Sequence, residues 1–167
     1  YGEDNVVDFT QLNGIIGLFA PNASGKSALL DALSFNLFDL TSRTYKADNI
    51  INKSKSTLYC KVNFEIDGID YFIEKKGKKN LRTGHVKVDI DFWLIDDSGE
   101  QISLNGDQRR TTQKNIQKVI GSYDDFILTS MSSQNNSTVF IDKTQKERKE
   151  LLSQFMGLKI FDTLYQY

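Results

Sequence analysis

The sequence has 167 residues, the size of one average domain, with 21 Lys and Arg against 22 Asp and Glu. A single His, a single Cys and a single Pro exclude an internal disulfide, a His/Cys metal centre within the chain and, since no elbow motif supports His85, a Ser-His-Asp hydrolase. The net charge of −1 hides a segregation: residues 43–87 carry eleven basic and five acidic side chains, while both flanks are net acidic. The longest apolar run, Ile15 to Ala20, is too short to cross a bilayer, and no signal-peptide pattern opens the chain. The expectation is a soluble protein, cytoplasmic or nucleoid- or nucleus-associated, with no membrane partner. The opening Tyr1 in place of Met reads as an excised piece.

In chain order, Asn5–Phe9 and Ile15–Phe19 are short apolar runs separated by the turn sequence Gln11-Leu12-Asn13-Gly14. The second is apolar on both parities, which predicts a strand buried on both faces. Ala28–Leu40 follows as a helix that is apolar nearly all round, the mark of a central element. After a polar, lysine-bearing connection over 41–56 come alternating runs at Leu58–Ile66, Tyr71–Lys76 and Val86–Leu94, then a short strand at Gln101–Leu104. Asp67-Gly68 marks the first hairpin turn, so an antiparallel, half-exposed sheet is predicted. Residues 108–120 read as a helix with Ile116, Val119 and Ile120 as its stripe, and Thr144–Met156 as another. No repeat or low-complexity linker interrupts the chain, which reads as one domain of α/β class with α+β character.

Between the first buried run and the apolar helix lies Ala20-Pro21-Asn22-Ala23-Ser24-Gly25-Lys26-Ser27. It fits the phosphate-loop pattern G-x-x-x-x-G-K-[ST] except at its first position, where Ala20 stands for Gly. Such a loop turns successive N–H groups inward and adds the free donors of a helix N-terminus. Gly25 is required where a side chain would strike phosphate, Lys26 supplies a cation for the β/γ oxygens, and Ser27 supplies a hydroxyl for magnesium. Asn22, Ala23, Ser24, Gly25, Lys26, Ser27 and Ala28 are therefore the candidate ATP-binding residues, with Mg²⁺ as the companion ion. The bland alternative is a helix N-terminus capped by Ser24 beside an incidental lysine. Phe92-Trp93-Leu94-Ile95-Asp96-Asp97 mimics the acidic strand that such a site also needs. It is rejected because the strand alternates with Lys87, Asp89 and Asp91 and runs into a hairpin turn, so the true acidic strand is expected outside this chain.

The run A-P-N-A-S-G-K-S-A-L-L-D-A-L over residues 20–33 resembles the N-terminal P-loop of the SMC-like repair and recombination ATPases of the SbcC type and their phage endonuclease-subunit relatives. Later features match in order: Asp67-Gly68 with Tyr71-Phe72-Ile73, Tyr123-Asp124-Asp125-Phe126, Ser130-Met131-Ser132-Ser133-Gln134, and Glu147-Arg148-Lys149-Glu150-Leu151-Leu152 with Gly157-Leu158. The resemblance implies a P-loop NTPase of ABC type. Residues 1–157 would form lobe I of its head, an antiparallel sheet packed on the P-loop helix, and 158–167 would begin the ascending coiled-coil helix. It implies Lys26 and Gln134 as catalytic residues, Ser27 and Gln134 at magnesium, and Ile51, Asn52 and Lys53 bordering the nucleotide.

Ala28 departs from the family pattern by replacing a second hydroxyl, and no signature motif is present. By resemblance, the second lobe of the same polypeptide would complete the site. ATP would join two heads in a homodimer, and the cycle would gate an SbcD-type nuclease subunit acting on DNA ends. The fragment alone would be inactive as an ATPase. Lys75, Lys76, Lys78, Lys79 and Arg82, read as lying in a hairpin loop, are the candidate DNA contacts, through phosphate alone. The alternative is an SMC or RecF-type tethering or loading ATPase without a nuclease partner.

Overall fold

The computed structural model describes residues 5–41, 44, 47–131, 141 and 143–156. The chain divides into two compact units, Tyr1–Ile116 and Gln117–Tyr167.

The first unit is built on an antiparallel meander of β1 (Thr57–Ile66), β2 (Ile69–Lys79), β3 (Val86–Ile95) and β4 (Gln101–Ser103), in the order β1-β2-β3-β4. The Asp67-Gly68 turn explains the first hairpin. Both residues take positive φ, 53° and 80°, which matches the twist of the flanking strands. Ile66 therefore pairs with Ile69, and the register runs on through Val62 with Ile73 and Cys60 with Lys75. Strand alternation then puts Leu58, Val62, Phe64, Ile73, Val88, Ile90 and Phe92 on one face, where Ile73 and Phe92 are fully buried. Tyr71 bridges the layer, stacked at 5.5 Å on Phe64 and 6.1 Å from Phe92. Gly77 lies on the same face by parity, and there a Cβ would stand 3.2 Å from Leu58 Cβ and 3.3 Å from Val86 Cγ1.

Against this face lies α1 (Lys26–Phe38), whose Phe35, Leu37 and Phe38 join the core. Asn36, also buried, donates from Nδ2 to the Cys60 carbonyl at 3.1 Å, so the helix covers part of the β1 edge. The helix α2 (Arg109–Ile120) buries Thr112, Gln113 and Ile116. Its Asn115 donates to Leu104 O at 2.9 Å, and Thr112 Oγ1 accepts from Gly106 N at 3.0 Å. The expected sheet packed on the P-loop helix is thus present.

One expectation fails. Ile15–Phe19 forms no strand, and Phe19 is 94% exposed. A strand buried on both faces needs a ladder on its edges and cover above and below, and the described residues supply neither. The same lack shows in α1: only Ser34–Phe38 is buried, while Leu30, in its N-terminal half, is exposed. The preceding segment instead makes a single 3-10 turn, Phe9–Gln11, capped by Asp8 Oδ1 accepting from Thr10 N at 2.9 Å.

The second unit holds α3 (Tyr123–Thr129) and α4 (Gln145–Phe155). Each starts with a reciprocal cap. Asp125 N donates to Ser122 Oγ at 3.2 Å while Ser122 N donates to Asp125 Oδ2. Glu147 Oε2 accepts from Thr144 N at 2.8 Å and Glu147 N returns a bond to Thr144 Oγ1. Gln134 and residues 157–167, with the expected start of the coiled coil, lie outside the described residues. Among the described residues, no helix is long and apolar enough to cross a membrane.

Candidate functional site

The phosphate loop takes its shape from three local rules. Pro21 fixes the entry, and its carbonyl accepts from Ser24 N at 3.3 Å, closing a turn over Asn22 and Ala23. Ala23 adopts φ 62° and Gly25 φ 95°, the left-handed region that costs a non-glycine residue about 1 kcal/mol. Such alternation is how a loop aims its N–H groups into one concavity. Gly25 is the N-cap of α1. A glycine has no side chain with which to cap, no acid occupies the first turn, and the cap position is not that of Ser24. Residues 9–30 contain no Asp or Glu at all, and their single charge is Lys26.

Lys26 folds back across the loop and donates from Nζ to Ala20 O at 2.6 Å and Pro21 O at 2.7 Å. Its ammonium therefore stands over the loop it belongs to, beside the N-terminal end of α1. A helix N-terminus behind a glycine, with a lysine ammonium over the loop and no acid within residues 9–30, has the chemistry of an anion site. Ser27 is exposed at the second helical position, and Ala28 presents only a methyl. Of the segment expected to border the nucleotide, Ile51 is buried, and Asn52 forms a turn in which its Oδ1 accepts from Ser54 N at 2.9 Å. Lys53 is exposed. Ile51 therefore presents almost no surface to a ligand.

The candidate DNA residues separate. Lys75 is not in a loop and does not face solvent: it lies within β2 and is fully buried. Its place on the strand dictates this, because it shares parity with Ile73 and pairs with inward-facing Cys60 and Ile90. Nζ donates to Phe35 O at 2.7 Å, to Asp39 Oδ1 at 2.5 Å and to Gln113 Oε1 at 3.3 Å. Burial pulls its pKa down to about 8, against the opposing pull of Asp39. Lys76, Lys78 and Lys79 are also strand residues, and only Arg82 sits in the β2–β3 turn. Lys76 is exposed and paired with Glu74 at 2.7 Å, which holds the Glu74 carboxyl below its usual range. The turn is shaped by Asn80, whose Oδ1 accepts from Arg82 N at 2.9 Å and Thr83 N at 3.2 Å. His85, beside it, is exposed and 3.1 Å from Asp48 Oδ2.

Asp96, the decoy acid, is occupied by its own turn. Oδ1 accepts from Ser98 Oγ at 2.6 Å, Glu100 N at 2.8 Å and Ser98 N at 2.9 Å, and the Ser98 hydroxyl leads in lowering its pKa. Among the described residues no cluster of His, Cys, Asp and Glu could hold a metal ion. Sequence reasoning missed the group around Lys75, namely Asp39, Arg109 and Gln113. Strand parity carried the signal for Lys75, whereas its partners are brought in only by the fold.

The AAA domain family matches this chain over residues 1–166. An uncharacterized protein of Acanthamoeba polyphaga mimivirus is 39% identical over all of the chain and 13% of its own length. The SbcC component of the nuclease SbcCD of Clostridium acetobutylicum is 26% identical over 95% of the chain and 14% of its own length. The chain thus spans about one seventh of the length of these relatives. A solved structure from work on ATP-driven dimerization and DNA-stimulated activation of SMC ATPases shares the fold. Its TM-score is 0.52 at 19% identity, covering 85% of this chain and 84% of that one.

Proposed function

The chain belongs to the AAA domain family, and from that premise we propose that it is an SbcC-type N-terminal ATPase head lobe in which residues 20–28 bind ATP and contribute half of a composite hydrolytic site. The observation that carries this is the phosphate loop itself: a glycine at the α1 N-cap, with Lys26 folded over an acid-free loop. Lys26 would leave the Ala20 and Pro21 carbonyls for the β/γ oxygens, while the loop N–H groups hold the remaining charge. Lys26 and the loop N–H groups are donors of the kind a triphosphate requires. For magnesium the described residues offer the Ser27 hydroxyl, with Gln134 as the second protein ligand implied by the resemblance. Magnesium would supply charge neutralisation on the β and γ oxygens, and Gln134 would orient the attacking water. Ile51, Asn52 and Lys53 would border the nucleotide, Asn52 and Lys53 being the exposed two.

The apolar surface on Val6, Ile15, Ile16, Leu18 and Phe19 supports the half-site reading, because it is exposed beside the loop in sequence and has no cover among the described residues. The second lobe of the same polypeptide would cover it. ATP would then join two heads, and release on hydrolysis would gate a nuclease subunit acting on DNA, with Lys76, Lys78, Lys79 and Arg82 as phosphate contacts. Residues 1–157 would be the head lobe, with the coiled coil rising from 158. Calorimetry tests the central claim: in the complete protein Lys26→Ala abolishes ATP binding, and retained affinity would refute the site. The isolated lobe hydrolyses ATP negligibly, and turnover near ~1 per second would contradict the half-site reading.

A further inference from the structure

The helix α1 is 13 residues long, about 20 Å from end to end. Its N-terminus carries the phosphate loop, yet only Ser34–Phe38, at the other end, is buried. Among the described residues the helix is therefore held like a cantilever, from its C-terminal half. That end bears partial negative charge, and its carbonyls draw donors from outside the helix, although Phe35 O also accepts from Asp39 N at 3.0 Å. Gln113 Nε2 of α2 donates to Leu37 O at 2.7 Å, and Lys75 Nζ of β2 donates to Phe35 O at 2.7 Å. Asp39, just past the helix, receives Lys75 at 2.5 Å and Arg109 Nη2 of α2 at 2.9 Å. The Lys75 ammonium also lies 5.0 Å from the centre of the Phe35 ring. Elements β2, α1 and α2 thus meet on one buried cation.

A lysine is a poor choice there for stability alone. Its burial pulls the pKa from 10.5 to about 8, which registers a desolvation loss that Asp39 only partly offsets. An apolar side chain of the same length would fill the space without that loss. What the cation adds is geometry: three directed bonds that fix one end of α1 against the sheet and α2.

We propose that Lys75 is a positioning residue for the nucleotide site, setting where the phosphate loop at the far end of α1 stands. The proposal rests on the reading that residues 20–28 bind ATP. The charged and titratable groups facing Lys75 are Asp39 of α1, Arg109 of α2 and the Cys60 thiol of β1, which burial pushes up.

The test is calorimetric titration of ATP with magnesium into the complete protein, both lobes present, between pH 7 and 9.5. Wild type is compared with Lys75→Met, Lys75→Arg and Lys26→Ala, and unfolding temperatures are recorded for all four. At pH 7, Lys75→Met binds about five- to tenfold more weakly, within the range for coupling through packed networks, without a lower unfolding temperature. Wild-type affinity declines by a similar factor as the ammonium loses its proton, while Lys75→Arg, charged throughout, holds its affinity. Wild-type affinity in Lys75→Met, or an equal alkaline decline in Lys75→Arg, overturns the proposal. So does a loss of binding matched by a fall in unfolding temperature, which marks plain structural damage. If Lys75→Met fails to fold, the comparison of wild type with Lys75→Arg across pH decides. Lys26→Ala keeps the two claims apart: ATP binding that survives it refutes the loop reading, whatever Lys75 does.

Discussion

Replacing Lys75 by methionine makes the energetics of the buried cation measurable. Lys75 is fully buried and titrates at about 8 in the folded chain, against 10.5 for an ordinary lysine. Its folded pKa is depressed, so the unfolded chain holds the proton more tightly. Below pH 8 both states are protonated and the fold carries the whole desolvation penalty. Between pH 8 and 10.5 only the unfolded state keeps the proton, so stability rises with pH, at about 1.4 kcal/mol per decade. The total is on the order of 3 kcal/mol. Lys75→Met carries no such term, and every other titrating group is shared. Urea denaturation of both proteins at intervals from pH 7 to 10.5 gives the difference directly. At pH 7 the variant is about as stable as wild type, because Asp39 keeps Arg109 at 2.9 Å as its partner and removing Lys75 leaves no unpaired buried charge. As pH climbs, wild type gains on it by the figure above. A difference that stays flat with pH would refute the claim that burial dominates this lysine. The contrast with ATP affinity sharpens the test, because affinity is expected to fall over the same interval in which stability rises.

Two further outcomes are expected. Asp96→Ala leaves ATP turnover of the complete enzyme within about twofold of wild type, and hydrogen exchange at the Ser98 and Glu100 amides speeds up as their acceptor is removed; a drop in turnover matching that of Lys26→Ala would restore Asp96 as a magnesium ligand. Neutralising Lys78, Lys79 and Arg82 in a complete head complex lowers the salt slope of DNA binding by about 0.9 for each phosphate left unneutralised, and an unchanged slope would make them solubilising side chains.

The meander was legible because each of its rules is local. Alternation from Leu58 to Ile66 sets a strand, and Asp67-Gly68 admits the paired positive φ that fixes register with β2. The phosphate loop was legible for the same reason, since its glycine, lysine and small residues answer to backbone geometry within eight positions. Ile15–Phe19 was misread because composition reports how much burial a segment needs, not whether a neighbour is there to provide it. Lys75 was misread because charge was weighed before parity. Between Ile73 and Gly77, opposite Cys60 and Ile90, its side chain had to point inward. Asp39, Arg109 and Gln113 carry no mark in the sequence, because only the packing of α1 and α2 on one sheet face assembles them.

The meander also sets an order of events in time. Every strand pairs with its chain neighbour across a short turn, so closing the sheet needs little loop entropy and proceeds early. The segment from Val6 to Phe19 gains nothing from that step and stays wetted, with its aliphatic and aromatic side chains turned outward. In a growing chain the finished sheet therefore coexists with an adhesive N-terminal ribbon. With the second lobe as its proposed cover, the rate of docking set against the concentration of the ribbon would decide between assembly and self-association.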